Sequence, residues 1–195
     1  EGKQDYSNCD IRHISQDKEG NIWLATDNEG IIRVSGNPLN NKALRYKQYN
    51  PTHHNFSIND ATACMEDYEG RLWAISNSGG LFLYNKENDS FEPKNREYHL
   101  PGDRVHAITE DDLGGLWLTT DYALVHIIME KNNDKPQDIS YFTSEDGLGD
   151  VLFSPNTTCK HGKEIFFGSR TSIFSFIPSQ ESGKSKKKRS NLVIT

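Results

Sequence analysis

The sequence predicts an all-β protein: a β-propeller built of four-stranded antiparallel blades. Three observations predict it. First, one unit occurs four times, as Gly-Asn-Ile-Trp-Leu-Ala-Thr at 20–26, Gly-Arg-Leu-Trp-Ala-Ile-Ser at 70–76, Gly-Gly-Leu-Trp-Leu-Thr-Thr at 114–120 and Lys-Glu-Ile-Phe-Phe-Gly-Ser at 163–169. Second, all three tryptophans, Trp23, Trp73 and Trp117, hold one position of that unit, with Phe166 in the fourth copy, at spacings of 50, 44 and 49 residues. Third, the segments between them are short β-rich runs bounded by Asp, Asn and Gly, the punctuation of hairpins. A period of this length made only of short strands belongs to a radial repeat.

Blade one, at about 8–50, reads as runs at 11–14, 22–26, 31–34 and 44–49. Blade two, at 51–98, has runs at 61–66, 71–76, 80–84 and a short 90–92; blade three, at 99–143, has 105–110, 116–120, 123–129 and 139–142. The last blade, at 144–178, shows only 151–153, 164–169 and 173–177 before Pro178, so its outer strand is expected to be missing. A basic linker at 179–190 and a new strand at 191–195, the start of a following domain, complete the chain. An unpaired sheet edge is a liability. The four blades are therefore expected to be the last four of a larger ring.

The tryptophans sit among apolar residues in central strands, which points to burial between blades rather than stacking on a ligand. The same structural role is assigned to Phe166. Each such side chain hides roughly 150–250 Å². Asp17, Asp67 and Asp111 recur at one turn position and are expected to bond nearby backbone amides. No DxDxDG series exists to suggest calcium. Cys64 takes the apolar slot held by Ile14 and Ile108, as a small buried hydrophobe. With Cys9 and Cys159 the cysteine count is odd and has no CxxC spacing, so neither a metal nor any cofactor is expected.

The net charge of −6 conceals an asymmetry. Lys184, Lys186, Lys187, Lys188 and Arg189 carry five positive charges, and removing them leaves −11 on the rest. Such a body is a poor partner for nucleic acid. Hydrophobic residues make up 34% of the chain, a low share that would suit disorder if the aromatics did not recur in register. No apolar run approaches the roughly 18 residues that span a bilayer. No signal-peptide pattern stands at Glu1, so the chain is expected to begin within a longer protein or after processing.

The unit Ile-x-x-Ile-x-x-Asp-x-x-Gly-x-Ile-Trp-Leu-x-Thr-x-x-x-Gly-Ile at 11–31 resembles the two-component regulator propeller repeat. The segments 49–60 and 141–148 are similar to that family's inter-blade connector and its approach to the final blade, and 166–169 with 176–178 to its final-blade ending. Residues 191–195 resemble the start of an immunoglobulin-like triple-tyrosine domain. The third and fourth repeats depart from the pattern by lacking the glycine after strand two; Tyr122 and Ala123 stand there in the third.

The resemblance implies a seven-bladed ring, of which this chain holds the last four blades. It also implies the periplasmic sensor region of a hybrid or simple sensor histidine kinase that responds to oligosaccharides and regulates polysaccharide-utilisation genes. Its implied partners are the oligosaccharide, the other blades, the triple-tyrosine domain and a second copy in a dimer. No catalytic part of a kinase lies in this chain. Loop residues of the types that bind hydroxyl-rich ligands are Arg12, Asn59, Asp60, Arg104, Tyr122 and Arg170. Two other readings are a propeller scaffold for protein partners and a propeller glycosidase or lyase. The second would need paired carboxylates. Glu110, Asp111, Asp112, Glu145 and Asp146 fall in turns and loops without such a spacing. His13, His106, His126 and His161 are the histidines considered for metal or acid–base roles. His13 and His106 fall in inner strands, where a scaffold role is expected.

Overall fold

The computed structural model describes residues 9–36, 43–53, 56–178 and 193–194. Its strands form four antiparallel sheets, each with four strands in chain order. Blade one is β1 (Ile11–Gln16), β2 (Ile22–Thr26), β3 (Ile31–Ser35) and β4 (Arg45–Tyr49). Blade two is β5 (Ala63–Glu66), β6 (Leu72–Ser76), β7 (Gly80–Asn85) and β8 (Ser90–Pro93). Blade three is β9 (Val105–Glu110), β10 (Gly115–Thr120), β11 (Leu124–Met129) and β12 (Pro136–Phe142). Blade four is β13 (Phe153–His161), β14 (Glu164–Ser169), β15 (Ile173–Phe176) and β16 (Val193–Ile194).

The core lies between blades, in three clusters. Trp23, Ala25, Ile31 and Tyr49 of blade one meet Cys64, Leu72, Phe82 and Phe91 of blade two. Trp73, Ile75, Leu81 and Leu83 meet Ile108, Leu116, Leu118 and Val125 of blade three. Trp117 meets Ile165, Phe167 and Phe174 of blade four. Each tryptophan thus faces the blade that follows its own. Successive strand residues point to opposite faces of a sheet. The second strands of the two middle blades, covered on both sides, are therefore buried at every residue. Those of blades one and four alternate between buried and half-buried.

A repeated set of contacts builds the first hairpin of blades one, two and three. Asp17, Asp67 and Asp111 accept the indole N–H of Trp23, Trp73 and Trp117 at 2.8, 2.9 and 2.8 Å. Their other carboxylate oxygen accepts the amide of Asn21, Arg71 and Gly115. The amide half of this arrangement matches the expected turn-former. Gly20, Gly70 and Gly114 sit in these turns at φ of 86°, 84° and 82°, a conformation that glycine adopts without penalty. Blade four has Lys160 six residues before Phe166, and phenylalanine has no N–H to satisfy.

Three expectations for blade four are corrected. Its outer strand is present: Val193 and Ile194 pair with Ser175 and Phe174. The long polar stretch between this short strand and β15 separates it from its sheet in sequence, so 193–194 read as the start of a new domain. The basic linker at 179–190 lies outside the described residues. Phe166 is only half-buried, because it lies on the blade-four face turned away from blade three. The inner strand is also longer than its expected 151–153. Phe153 opposes Ser169 and Thr158 opposes Phe167, so residues 154–157 bulge out of the ladder. Asn156, at φ 53°, donates from that bulge to the Arg12 carbonyl of blade one at 3.1 Å.

Cys64 is fully buried, as its apolar slot requires, and burial pushes its thiol up to about 12. All three cysteines are free.

Candidate functional site

In an antiparallel four-strand meander, the loops between strands two and three lie on the same side as the starts of the inner strands. The connectors from one blade's outer strand to the next blade's inner strand also lie there. A hydroxyl at the end of each second strand shapes these loops. Thr26 Oγ1 donates to the Gly30 carbonyl and accepts the Glu29 amide. Ser76 Oγ accepts the amides of Ser78 and Gly79. Thr120 Oγ1 donates to the Ala123 carbonyl and accepts the amides of Tyr122 and Ala123. Ser169 Oγ donates to the Ser172 carbonyl and accepts the amides of Thr171 and Ser172. The loops are thereby held in shape before any ligand arrives.

The next residue in each blade, Asp27, Asn77, Asp121 or Arg170, projects from this frame. Arg12 pairs with Asp27. Asp60 accepts hydrogen bonds from Ser76 Oγ at 3.4 Å and from Ser78 Oγ. Asn59 is exposed, and its carbonyl accepts the Gly30 amide. Arg104 lies 3.8 Å from Asp121, with its side chain 62% exposed. The Tyr122 ring is 70% exposed, beside Gly102, where an added Cβ would come within 3.2 Å of it. Arg170 is exposed.

The structure thus brings Arg104 and Tyr122 together at blade three. Arg12, Asn59 and Asp60 are placed at blades one and two, and Arg170 at blade four. His106 was expected to be a scaffold residue, and it joins two blades. Its Nδ1 is 3.0 Å from the Asn77 carboxamide oxygen of blade two and its Nε2 is 2.8 Å from Asp121. The imidazole thus bridges Asn77 and Asp121 and orients them. Asn77 and Asp121 were missed by sequence reasoning. The signal was available: each stands four residues after its blade's tryptophan, as Asp27 does.

On the opposite side, the first-hairpin turns are clasped together. Glu66 accepts the Lys18 amide at 2.6 Å, and Glu110 accepts the Tyr68 amide at 2.8 Å. Lys160 of blade four reaches Asp112 of blade three at 2.8 Å and the Tyr68 hydroxyl of blade two at 2.9 Å. Burial, with Asp67 and Asp111 adding to it, pushes Glu110 up to about 7 against the opposing Tyr68 amide and Arg71. Burial would also raise Asp111, but His126, Trp117 and the amides of Gly115 and Leu113 together hold it below the usual carboxylate range. His126 stacks on Trp117 at 4.1 Å, with Nε2 3.7 Å from Asp111, beyond hydrogen-bond length. Among the described residues, no group of three or more His, Cys, Asp or Glu is placed to hold a metal ion.

Residues 5–28 and 99–122 match the family model of the two component regulator propeller. Over these two segments the chain is similar to two component regulator propeller repeats. Histidine kinase P4 of Formosa agariphila is 24% identical over 182 residues, which are 92% of this chain and 13% of that protein. Among solved structures, the extracellular domain of a hybrid two component system of B. thetaiotaomicron superposes with a TM-score of 0.71 at 23% identity. The match covers 86% of this chain and 22% of that one. The extracellular domain of a one component system of the same organism gives 0.67 at 14% identity, covering 93% and 25%. The chain therefore spans a quarter or less of each of these three relatives. At these identities the structural likeness speaks for the propeller fold. Among the described residues, no helix is long and apolar enough to cross a membrane.

Proposed function

We propose that this propeller segment is a ligand-sensing part of the periplasmic region of a two-component sensor histidine kinase. Its ligand is an oligosaccharide, and its output is control of genes for polysaccharide use. The observation that carries the reading is the polar cluster of Asn77, His106 and Asp121, joined by close contacts, with Arg104 and an exposed tyrosine ring beside it. Hydroxyl-rich ligands need planar donors and acceptors fixed in advance, and an aromatic face for the sugar ring. Ligand binding would act by biasing two arrangements of a dimeric sensor. The remaining blades of a seven-bladed ring and a triple-tyrosine domain are the proposed neighbours in the longer protein.

The test is a thermal-shift screen against neutral and charged oligosaccharides, followed by calorimetry on any hit. One glycan class is expected to raise the melting temperature, and Arg104→Ala is expected to remove the shift while leaving the ligand-free melting temperature unchanged. Binding of proteins but of no glycan would favour the scaffold reading.

A further inference from the structure

The connector between blades two and three contains a groove of about 390 Å³, lined by Asn95, Arg96, His99, Leu100 and Asp103. This size falls within the usual range of small-molecule sites, roughly 300–1,000 Å³. Its backbone is pinned from three directions. Asn95 Oδ1 accepts the Leu81 amide of β7 at 2.6 Å, and its Nδ2 donates to the Gly102 carbonyl at 3.3 Å. The Tyr141 hydroxyl of β12 donates to the carbonyls of Tyr98 and His99 at 3.2 and 3.1 Å. Tyr98, fully buried, donates from its hydroxyl to the Asp134 carbonyl at 2.5 Å. Gly80 leaves the space that Asn95 fills, since a Cβ there would lie 2.0 Å from its amide nitrogen. A surface connector held this firmly contrasts with the general mobility of loops.

The side chains of Arg96, His99 and Asp103 are exposed. Beyond Asp103 the chain runs to Arg104, and the Tyr122 ring lies against Gly102. Arg96 only donates and Asp103 only accepts, whereas a sugar hydroxyl does both. A donor-only and an acceptor-only side chain lining one groove suit neighbouring hydroxyls of one ring, and the Asp103 carboxylate disfavours an anionic sugar at the same place. Resting on the sensing role proposed above, we infer that this groove binds one unit of an uncharged oligosaccharide, with Tyr122 carrying the next unit beyond Gly102.

The ¹⁵N-labelled chain would be titrated with neutral trisaccharides (maltotriose, cellotriose, xylotriose and laminaritriose) and with digalacturonate and a sulfated disaccharide. The variants Arg96→Ala and Asp103→Ala would be measured beside it. Both changes are at exposed positions, and unchanged melting temperatures would confirm the fold. A neutral trisaccharide is expected to shift amides within 95–104 and 121–123, and each variant to weaken its binding by about tenfold, the scale of a lost hydrogen bond to a charged group. Shifts confined to other loops, or variants that bind like the parent, would overturn the groove while leaving glycan sensing in place. Binding of the charged glycans alone would overturn the uncharged class. No binding of any of them at about 10 mM, a dissociation free energy near or below 3 kcal/mol, would overturn both the groove and the sensing role.

Discussion

Glu110 carries the sharpest consequence of a single residue. Oε2 holds the Tyr68 amide, while Oε1 is buried without a hydrogen-bond partner. The carboxyl ionises near 7 in the folded chain, against an ordinary 4.5. Between those values the folded state holds a proton that the unfolded state has lost. Stability therefore falls as pH rises from about 4.5 to about 7, by on the order of 3 kcal/mol. His13, whose imidazole is lowered chiefly by burial, acts in the opposite direction, since its contribution is lost as pH falls through its unfolded value. Comparison with Glu110→Gln isolates the carboxyl, because glutamine still accepts the Tyr68 amide. In urea denaturation at pH 5 and pH 8, the parent is expected to lose more stability between the two than the variant does. Equal losses would remove Glu110 as the source. The sequence marked Glu110 only as an acid near a turn, because desolvation arises from the neighbouring blades and leaves no local pattern.

The strands of the second position show how far an element can be read from sequence. The existence of the repeats, the order of the strands and the burial of Trp23, Trp73 and Trp117 were legible, because a period of short runs and a recurring aromatic are properties of the chain itself. What Asp17, Asp67 and Asp111 do for the indoles was half legible: the turn was visible, the indole bond was not. Lys160 before Phe166 was the available clue, since the aspartate is absent where the indole is absent. The hydroxyls at Thr26, Ser76, Thr120 and Ser169 stood in plain view as the last letter of the unit, yet their role appears only once the loop folds back over them. Trp73 and Phe166 make the test. Trp73→Ala is expected to cost about 3–5 kcal/mol, because both faces of β6 are covered. Phe166→Ala, half-buried, should cost under about half of that. Chemical denaturation of the two variants measures the difference, and equal costs would contradict the asymmetry between middle and end blades.

At the scale of the whole molecule, the four blades form a directional series. The residues proposed for binding were the least legible part, because the loops of different blades meet only in three dimensions. Arg104 faces Asp121, but Asn77, which His106 ties to that aspartate, comes from another blade. The last blade depends on two residues: deletion of 193–195 would uncover the β15 edge. Light scattering is expected to show increased self-association of the truncated chain, and hydrogen exchange to show faster loss of protection at 173–176. A truncated chain as monodisperse and as protected as the parent would show that β16 is dispensable. The direction in which each tryptophan faces also has a bearing on synthesis. A chain emerges N-terminus first, at about 5–20 residues per second. Trp23 gains the rest of its cover when Phe91 of blade two has been made, and Trp117 when Phe176 of blade four has been made. Each blade therefore presents an apolar forward side until its successor packs against it.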